Sequence, residues 1–358
     1  MADPKLVSLA TDFPPGLNTA APDTDLQPNE TPEAYGFDLT VDGKIKTGSV
    51  PSVAAGTATA RVQKTNTITE SALSIPYLWH GRRLWNITNR TVSTASNILT
   101  MGALDYDDVF YPPSSRFHKI HFSEDAQTIL TLVPIEPDTL VIVKSTGSYV
   151  IRNISDTRGF FQFSDIIQEM AAAAATYVME IGNVVYVGNS NGIVGYENFK
   201  TKEVSRKIRP TRATVGALAM TADYKRNWLI LGSTYVYDAE ADKWFNFSGT
   251  SFRFTTRRVR NPDWASFCVH RLIFAVEHGD TTNGTLKYQV RYEDEAWSSN
   301  YSVSLRYDPE RYTRVPETLE TPRNAHKFQV RVTSLPSGKY LREIQMEAED
   351  LAPDDYGA

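Results

Sequence analysis

A short apolar strand after a small turn residue recurs five times along the chain. The copies are Gly81-Arg-Arg-Leu-Trp85-Asn, Gly147-Ser-Tyr-Val-Ile151-Arg, Gly192-Ile-Val-Gly-Tyr196-Glu, Ser233-Thr-Tyr-Val-Tyr237-Asp and Gly284-Thr-Leu-Lys-Tyr288-Gln. Most follow a second apolar run: Leu140-Val-Ile-Val143, Val184-Val-Tyr-Val187, Trp228-Leu-Ile-Leu231 or Leu272-Ile-Phe-Ala-Val276. Their starts lie 66, 45, 41 and 51 residues apart, near the roughly 40–50 residues of one four-stranded propeller blade. Such a hairpin cannot bury its apolar face alone, so copies must stack. The pattern predicts an all-β fold, a β-propeller of about five to six blades. Period-2 alternation dominates and helical periodicity is scarce.

The segments outside the repeats differ in character. Residues 1–60 carry Pro14, Pro15, Pro22, Pro28, Pro32 and Pro51, which block helices and favour extended chain. Asp38 to Gly48 reads as a hairpin turning at Asp42-Gly43. This segment is expected to be an extended arm that wraps the body or a neighbour. Residues 61–300 form the expected propeller body, with a long insertion around Asp105 to Phe122. Asp165 to Ala175 is expected to be a short helix capped by Asp165. Residues 301–358 contain two alternating runs, Lys327–Thr333 and Tyr340–Ala348, around the turn Pro336-Ser-Gly-Lys339. They predict a C-terminal closing β-hairpin, perched before an acidic tail.

Composition excludes some classes. The 358 residues have 37 basic and 42 acidic side chains, a formal charge of −5, unlike a protein held to DNA by counterion release. Charge is uneven, however. Lys200 to Arg260 holds 13 basic and 5 acidic residues, and Leu341 to Ala358 holds one basic and six acidic. Blocks of opposite sign suit head-to-tail contacts between copies, but read better as a solvated face. The single Cys268 excludes an internal disulfide framework and sits in an apolar run, as a buried thiol would. The opening Met-Ala-Asp-Pro-Lys lacks an apolar signal region and no stretch reaches the length of a membrane span, so folding in the cytoplasm is expected. Seven Asn-x-Ser/Thr triplets are then chance in a Ser/Thr-rich β protein.

Motifs for catalysis are missing: there is no Gly-x-Ser-x-Gly, no phosphate-binding Gly-x-x-x-x-Gly-Lys, no Cys-x-x-Cys and no His-Glu-x-x-His. His118 and His121 are three apart and would face opposite sides of a strand, so no metal site is expected. Asp105, Asp107 and Asp108, and the run Glu293-Asp-Glu295, could supply calcium oxygens or a carboxylate pair, but read better as turn acids. The aromatics, 18 Tyr, 16 Phe and 6 Trp, could line a carbohydrate cleft or wedge between blades. Tyr237-Asp238 followed by Trp244 resembles the Tyr…Trp hairpin of kelch blades, where the rings pack. The candidate site is the basic cluster Arg253, Arg257, Arg258 and Arg260, with Arg253 and Arg257 on one strand face and Arg258 and Arg260 on one. It would meet acidic residues of an adjacent subunit or phosphates of passing DNA.

Both ends of the chain resemble a known family. Gly16-Leu-Asn-Thr19, Leu26-Gln-Pro-Asn-Glu30, Ala34 to Leu39 and Gly43-Lys-Ile-Lys46 with Gly48 are similar to the opening of tail nozzle, or stabilisation, proteins of short-tailed bacteriophages. Phe328-Gln-Val-Arg-Val332 and Gly338-Lys-Tyr-Leu-Arg-Glu-Ile344 are similar to their terminal strands. The resemblance implies a virion structural protein, not an enzyme, without cofactor or catalytic residues. Six copies would form a ring below the tail adaptor and portal complex. The ring would contact tail fibre or needle proteins and surround the channel for genomic DNA. It would be assembled in the host cytoplasm. The alternative is a propeller carbohydrate-binding protein or glycosidase using the acids near Asp105.

Overall fold

Alternate side chains of Leu140-Val-Ile-Val143 enter two different cores, and this accounts for most of the architecture. The computed structural model describes residues 5–10, 16–18, 20, 30–35, 78–88, 95–102, 119–122, 127–157, 160–232, 234–246, 252–260, 266–307, 312–319 and 324–350. In chain order the strands begin with β1 (Lys5–Ala10), β2 (Gly16–Leu17), β3 (Glu30–Thr31) and β4 (Glu33–Tyr35). Four consecutive sheets follow. The first holds β5 (Leu78–His80), β6 (Arg83–Thr88), β7 (Ala95–Met101) and β8 (Lys119–His121). The second holds β9 (Ile129–Ile135), β10 (Thr139–Lys144), β11 (Ser148–Arg152) and β12 (Gln162–Phe163). The third holds β13 (Val178–Ile181), β14 (Val184–Asn189), β15 (Gly192–Glu197) and β16 (Lys200–Glu203). The fourth holds β17 (Met220–Asp223), β18 (Trp228–Leu231), β19 (Tyr235–Asp238) and β20 (Lys243–Asn246). Each sheet keeps its strands in sequence order, the up-and-down order of a propeller blade. The fold is all-β and of the β-propeller class, as the repeat predicts.

Two larger sheets complete the chain. They use β21 (Arg253–Thr255), β22 (Val259–Arg260), β23 (Phe267–His278), β24 (Gly284–Tyr292), β25 (Tyr301–Leu305), β26 (Tyr312–Thr318), β27 (Asn324–Ala325), β28 (Lys327–Ser334) and β29 (Lys339–Asp350). One sheet runs β1-β29-β23-β26, with β27 on β23. The other runs β25-β24-β28-β21-β4, with β22 on β28. The chain separates into two compact units, Val53–Gly232 and Met1–Ser52 with Ser233–Ala358. These divide it differently from the three segments that composition suggests, and the division falls between β18 and β19.

In the unit Val53–Gly232 the central strands of the second and third blades are buried on both faces. Leu140, Ile142, Tyr149 and Ile151 join Trp85, Leu99 and Phe122 in one core. Val141, Val143 and Val150, the alternate residues of β10 and β11, join Val178, Val185, Val187 and Tyr196 in the next. A strand covered on both sides has no polar face, so these runs are continuously apolar. The bulky side chains face the first blade and valines face the third. Gly216, in a one-turn helix over Arg212–Gly216, lies against the Asn189 and Gly192 carbonyls, where any Cβ would collide.

Three of the five hairpin copies are equivalent. The copies from Gly147, Gly192 and Ser233 are third strands, each paired with the apolar second strand before it. The copy at Gly81 turns between the first and second strands instead. This offset, with the long connection from Met101 to Lys119, gives the 66-residue first gap. The copy at Gly284 opens β24, which pairs with β25 and β28 and not with the preceding apolar run.

The expected helix after Asp165 is two 3-10 turns, Gln168–Met170 and Ala175–Tyr177. Asp165 caps neither, and Ile167 precedes the first without a side-chain cap. A backbone bridge from Ser148 to Ile167 anchors the segment, and Met170 is buried in the second core. Tertiary contacts override the alanine run's propensity.

In the other unit the two large sheets pack face to face. Phe274 of β23 meets Tyr288 of β24 with ring centroids 5.1 Å apart, and both are buried. The C-terminal runs are strands joined by the expected turn, with Lys339 N–H donating to the Pro336 carbonyl at 3.2 Å. They do not pair with each other. β28 joins β24 and β21, while β29 joins β23 and β1, so the turn is a corner between sheets. Their inward residues, Phe328, Val330 and Val332 against Leu341, Ile344 and Met346, are each more stable in the shared core than paired edge to edge. The described N-terminal strands join this unit: β1 lies on β29 and β4 on β21. The hairpin at Asp42-Gly43 and the acidic tail after Asp350 lie outside the described residues.

Candidate functional site

The four arginines sit on the sheet that contains β21 and β28. Arg253 is half-buried on β21, opposite Tyr35. Arg257 and Arg258 lie between β21 and β22, where the strand is interrupted. Face-sharing at intervals of two or four therefore does not extend across the cluster. Thr256 causes the break, because its backbone and hydroxyl both bond Val330. Arg260 is paired with Lys327 through β22.

Their electrostatics differ. Arg258 is 10% exposed and donates from Nη1 to Asp294 Oδ1 at 2.7 Å. Lys327 Nζ meets the other Asp294 oxygen at 3.0 Å. Lys327 first, and then Arg258, hold the Asp294 carboxyl below the ordinary carboxylate range. Arg258 thus has its counter-ion within the chain. Burial lowers the Arg257 guanidinium from its usual value.

A neighbouring arrangement escapes the sequence reading. The guanidinium carbons of Arg291 and Arg331 lie 4.7 and 4.0 Å from the ring centroid of Trp297. Arg331 Nε also donates to Thr255 Oγ1 at 3.1 Å, and Arg291 bonds Gln329. Gln329 is fully buried beneath them and donates to the Thr256 carbonyl at 2.7 Å. The stacked cations close a buried polar layer over the sheet. Alternating arginines in Tyr288-Gln-Val-Arg291 and Gln329-Val-Arg331 were the available signal; the partner tryptophan was not foreseeable from spacing.

The other candidates separate. Asp105, Asp107, Asp108 and His118 lie outside the described residues. His121 is on β8 opposite Ile98 and is exposed. Glu293 turns the chain with φ +48° and accepts the His326 N–H, so it works as a turn acid. Among the described residues, no group of three His, Cys, Asp or Glu side chains could hold a metal ion. Tyr237 and Trp244 are cross-strand partners with centroids 5.0 Å apart, both buried, as the packing reading requires. Cys268 is half-buried; burial first, and then Glu349, raises its thiol.

Three acids of the C-terminal block have basic neighbours within their own sheet. Glu347 meets Arg271 at 2.6 Å, Glu343 meets Arg314 at 3.8 Å, and Glu349 lies 3.4 Å from His270. Glu347 and Arg271 are direct cross-strand partners on β29 and β23.

No family model and no curated protein matches the chain. Solved structures do match. Exo-β-1,3-galactanase from Phanerochaete chrysosporium, with galactose, is 12% identical over 81% of this chain and 69% of its own, with a TM-score of 0.20. A glycoside hydrolase family 43 arabinoxylan arabinofuranohydrolase from Bacillus subtilis is 10% identical over 74% and 63%, with a TM-score of 0.22. A Bacillus thuringiensis Cry1Da tryptic core variant is 11% identical over 81% and 51%, with a TM-score of 0.20. Two of these three are enzymes, so the expectation that the protein is not an enzyme is corrected and withdrawn. At such TM-scores the likenesses carry no argument about this chain's chemistry. No helix among the described residues is long and apolar enough to cross a membrane.

Proposed function

We propose that this is an architectural protein of a bacteriophage tail, the nozzle or hub that assembles as a ring of copies, six by the resemblance. In this reading the ring sits below the tail adaptor and portal complex in the virion, meets tail fibre or needle proteins, and surrounds the path of the genomic DNA. One observation carries it. The two ends of the chain that resemble the nozzle family fold together: β4 pairs with β21, and β21 with β28. Lys339 to Ile344 opens β29, and Ile344 is paired with Ala10 of β1. Two stretches that carry the resemblance, Ala34-Tyr35 and Phe328 to Val332, thus lie on one sheet although they are distant in sequence. Purified protein mixed with adaptor rings, viewed by negative stain, tests the reading. Rings that cap the adaptor are expected; a strict monomer, alone and with the adaptor, overturns it.

The second reading is a carbohydrate-binding or glycoside-cleaving propeller, the class to which two of the matched solved structures belong. Release of reducing sugar from β-1,3-galactan or arabinoxylan by the purified protein would establish it in place of the first.

A further inference from the structure

A strand at the edge of a sheet leaves a row of backbone donors and acceptors open, and soluble proteins normally guard that row with charge, proline or brevity. Most edges here follow the rule. β16 reads Lys-Thr-Lys-Glu. β26 carries Arg314, Pro316 and Glu317. β4 has three residues including Glu33, and β12 has two residues. Two edges of the sandwich unit break it. β1 continues after Lys5 as Leu-Val-Ser-Leu-Ala, without charge or proline, and Leu6 is 57% exposed. Its pairing with β29 is regular up to Ser8. β25 reads Tyr-Ser-Val-Ser-Leu, again uncharged, with Ser302 and Ser304 exposed. Among the described residues, neither strand has a partner on its outer side.

These two edges terminate different sheets of the same unit. They match in length, six and five residues, and β25 carries no charge that would repel Lys5 at the start of β1. We propose that β1 of one copy adds to β25 of a second copy, joining the β1 sheet of the first to the β25 sheet of the second. This rests on the reading of a self-assembling ring and names the contact that builds it. Because the two surfaces differ, the contact is head-to-tail and leaves each copy with one open edge of each kind. It therefore propagates from copy to copy, and under the ring reading it closes on itself. A second copy is favoured over an unrelated extended peptide because this chain supplies both halves, and between Leu6 and Ser8 and along β25 no charge or proline guards them.

The test uses the full chain and two exposed positions. Leu6→Lys charges the β1 edge and Ser304→Lys charges the β25 edge. Mass is read by light scattering, and folding by the thermal transition. Wild type is expected to be a multi-subunit species, and each variant alone to fall to the mass of one chain with its transition unchanged. A one-to-one mixture of the variants retains one good β1 edge and one good β25 edge, so it should give pairs and nothing larger. Wild-type rings with either variant still assembling would overturn the contact but leave the ring reading intact. Loss of assembly in Leu6→Lys alone would overturn it in favour of a twofold β1–β1 contact. A wild type that is monomeric at every concentration would remove the ring reading and this contact together.

Discussion

Arg83 enters the apolar interior between the first and second blades, and among the described residues it has no carboxylate partner. It is 5% exposed. Its Nε, Nη1 and Nη2 donate to the carbonyls of Ile154, Gly102 and Asp156 at 3.1, 3.3 and 3.0 Å, and the guanidinium lies 5.7 Å from the Phe161 centroid. Three carbonyl ends that loop residues would leave open are thereby satisfied. Arg83→Ala removes the donors and opens a void, so a loss of about 3 kcal/mol is expected in urea denaturation. Arg83→Lys should recover only part, because an ammonium cannot span the same fork. A second residue pair responds to pH. Fully buried Lys339 donates to Asp280 at 2.6 Å, tying the two corners of the sandwich, and Gly338 at φ +72° leaves room for that carboxylate. The Lys339 hydrogen bond, foremost, holds the Asp280 carboxyl below its ordinary value. The folded pKa being depressed, the stabilisation is complete above the unfolded value of about 4 and is lost as pH falls through the lower folded value. Thermal transitions from neutral pH into this acid range should fall for wild type and flatten for Asp280→Asn. An equal slope in the variant would show that other carboxyls dominate.

At the scale of elements, the second strand of a blade is the sensitive one. Leu140 and Val141 are adjacent, fully buried and in different cores. Leu140→Ala should cost about 3 kcal/mol through the cavity it leaves against Trp85 and its neighbours. Val141→Thr keeps the volume but buries a hydroxyl, and should cost about 1–2 kcal/mol. Both are read from denaturation midpoints. If β10 were half-exposed, one of the two would be nearly silent. Outer strands behave differently: β16 is mostly exposed and charged, so substitutions at Lys200 or Lys202 should change stability by less than about 0.5 kcal/mol. The strands themselves were legible from the sequence. Continuous β-branched runs, turns at small residues and the Tyr237–Trp244 spacing announce them locally. Which strands pair was less legible. The copies at Gly81 and Gly284 look like the others yet turn elsewhere, since a hairpin motif carries no record of the sheet it will join.

At the scale of the molecule, both chain ends depend on the same sandwich. Deleting residues 1–35 removes β1 and β4 and exposes the adjoining strands β29 and β21. The truncated protein should aggregate, seen as rising light scatter, rather than persist as a smaller soluble form. Retained solubility would mean that the segment is an accessory. The amino-acid order alone determined the class of fold: period-2 apolar runs of blade length can bury themselves only as stacked sheets, a property of neighbours in sequence. The basic residues were also visible there, but not their condition. Arg258 is matched to Asp294, and Arg291 and Arg331 are laid on Trp297, by strands remote in the chain. Only tertiary structure decided those partnerships, and which edges stay open, because charge pairing and edge exposure depend on distances through space that no local pattern encodes.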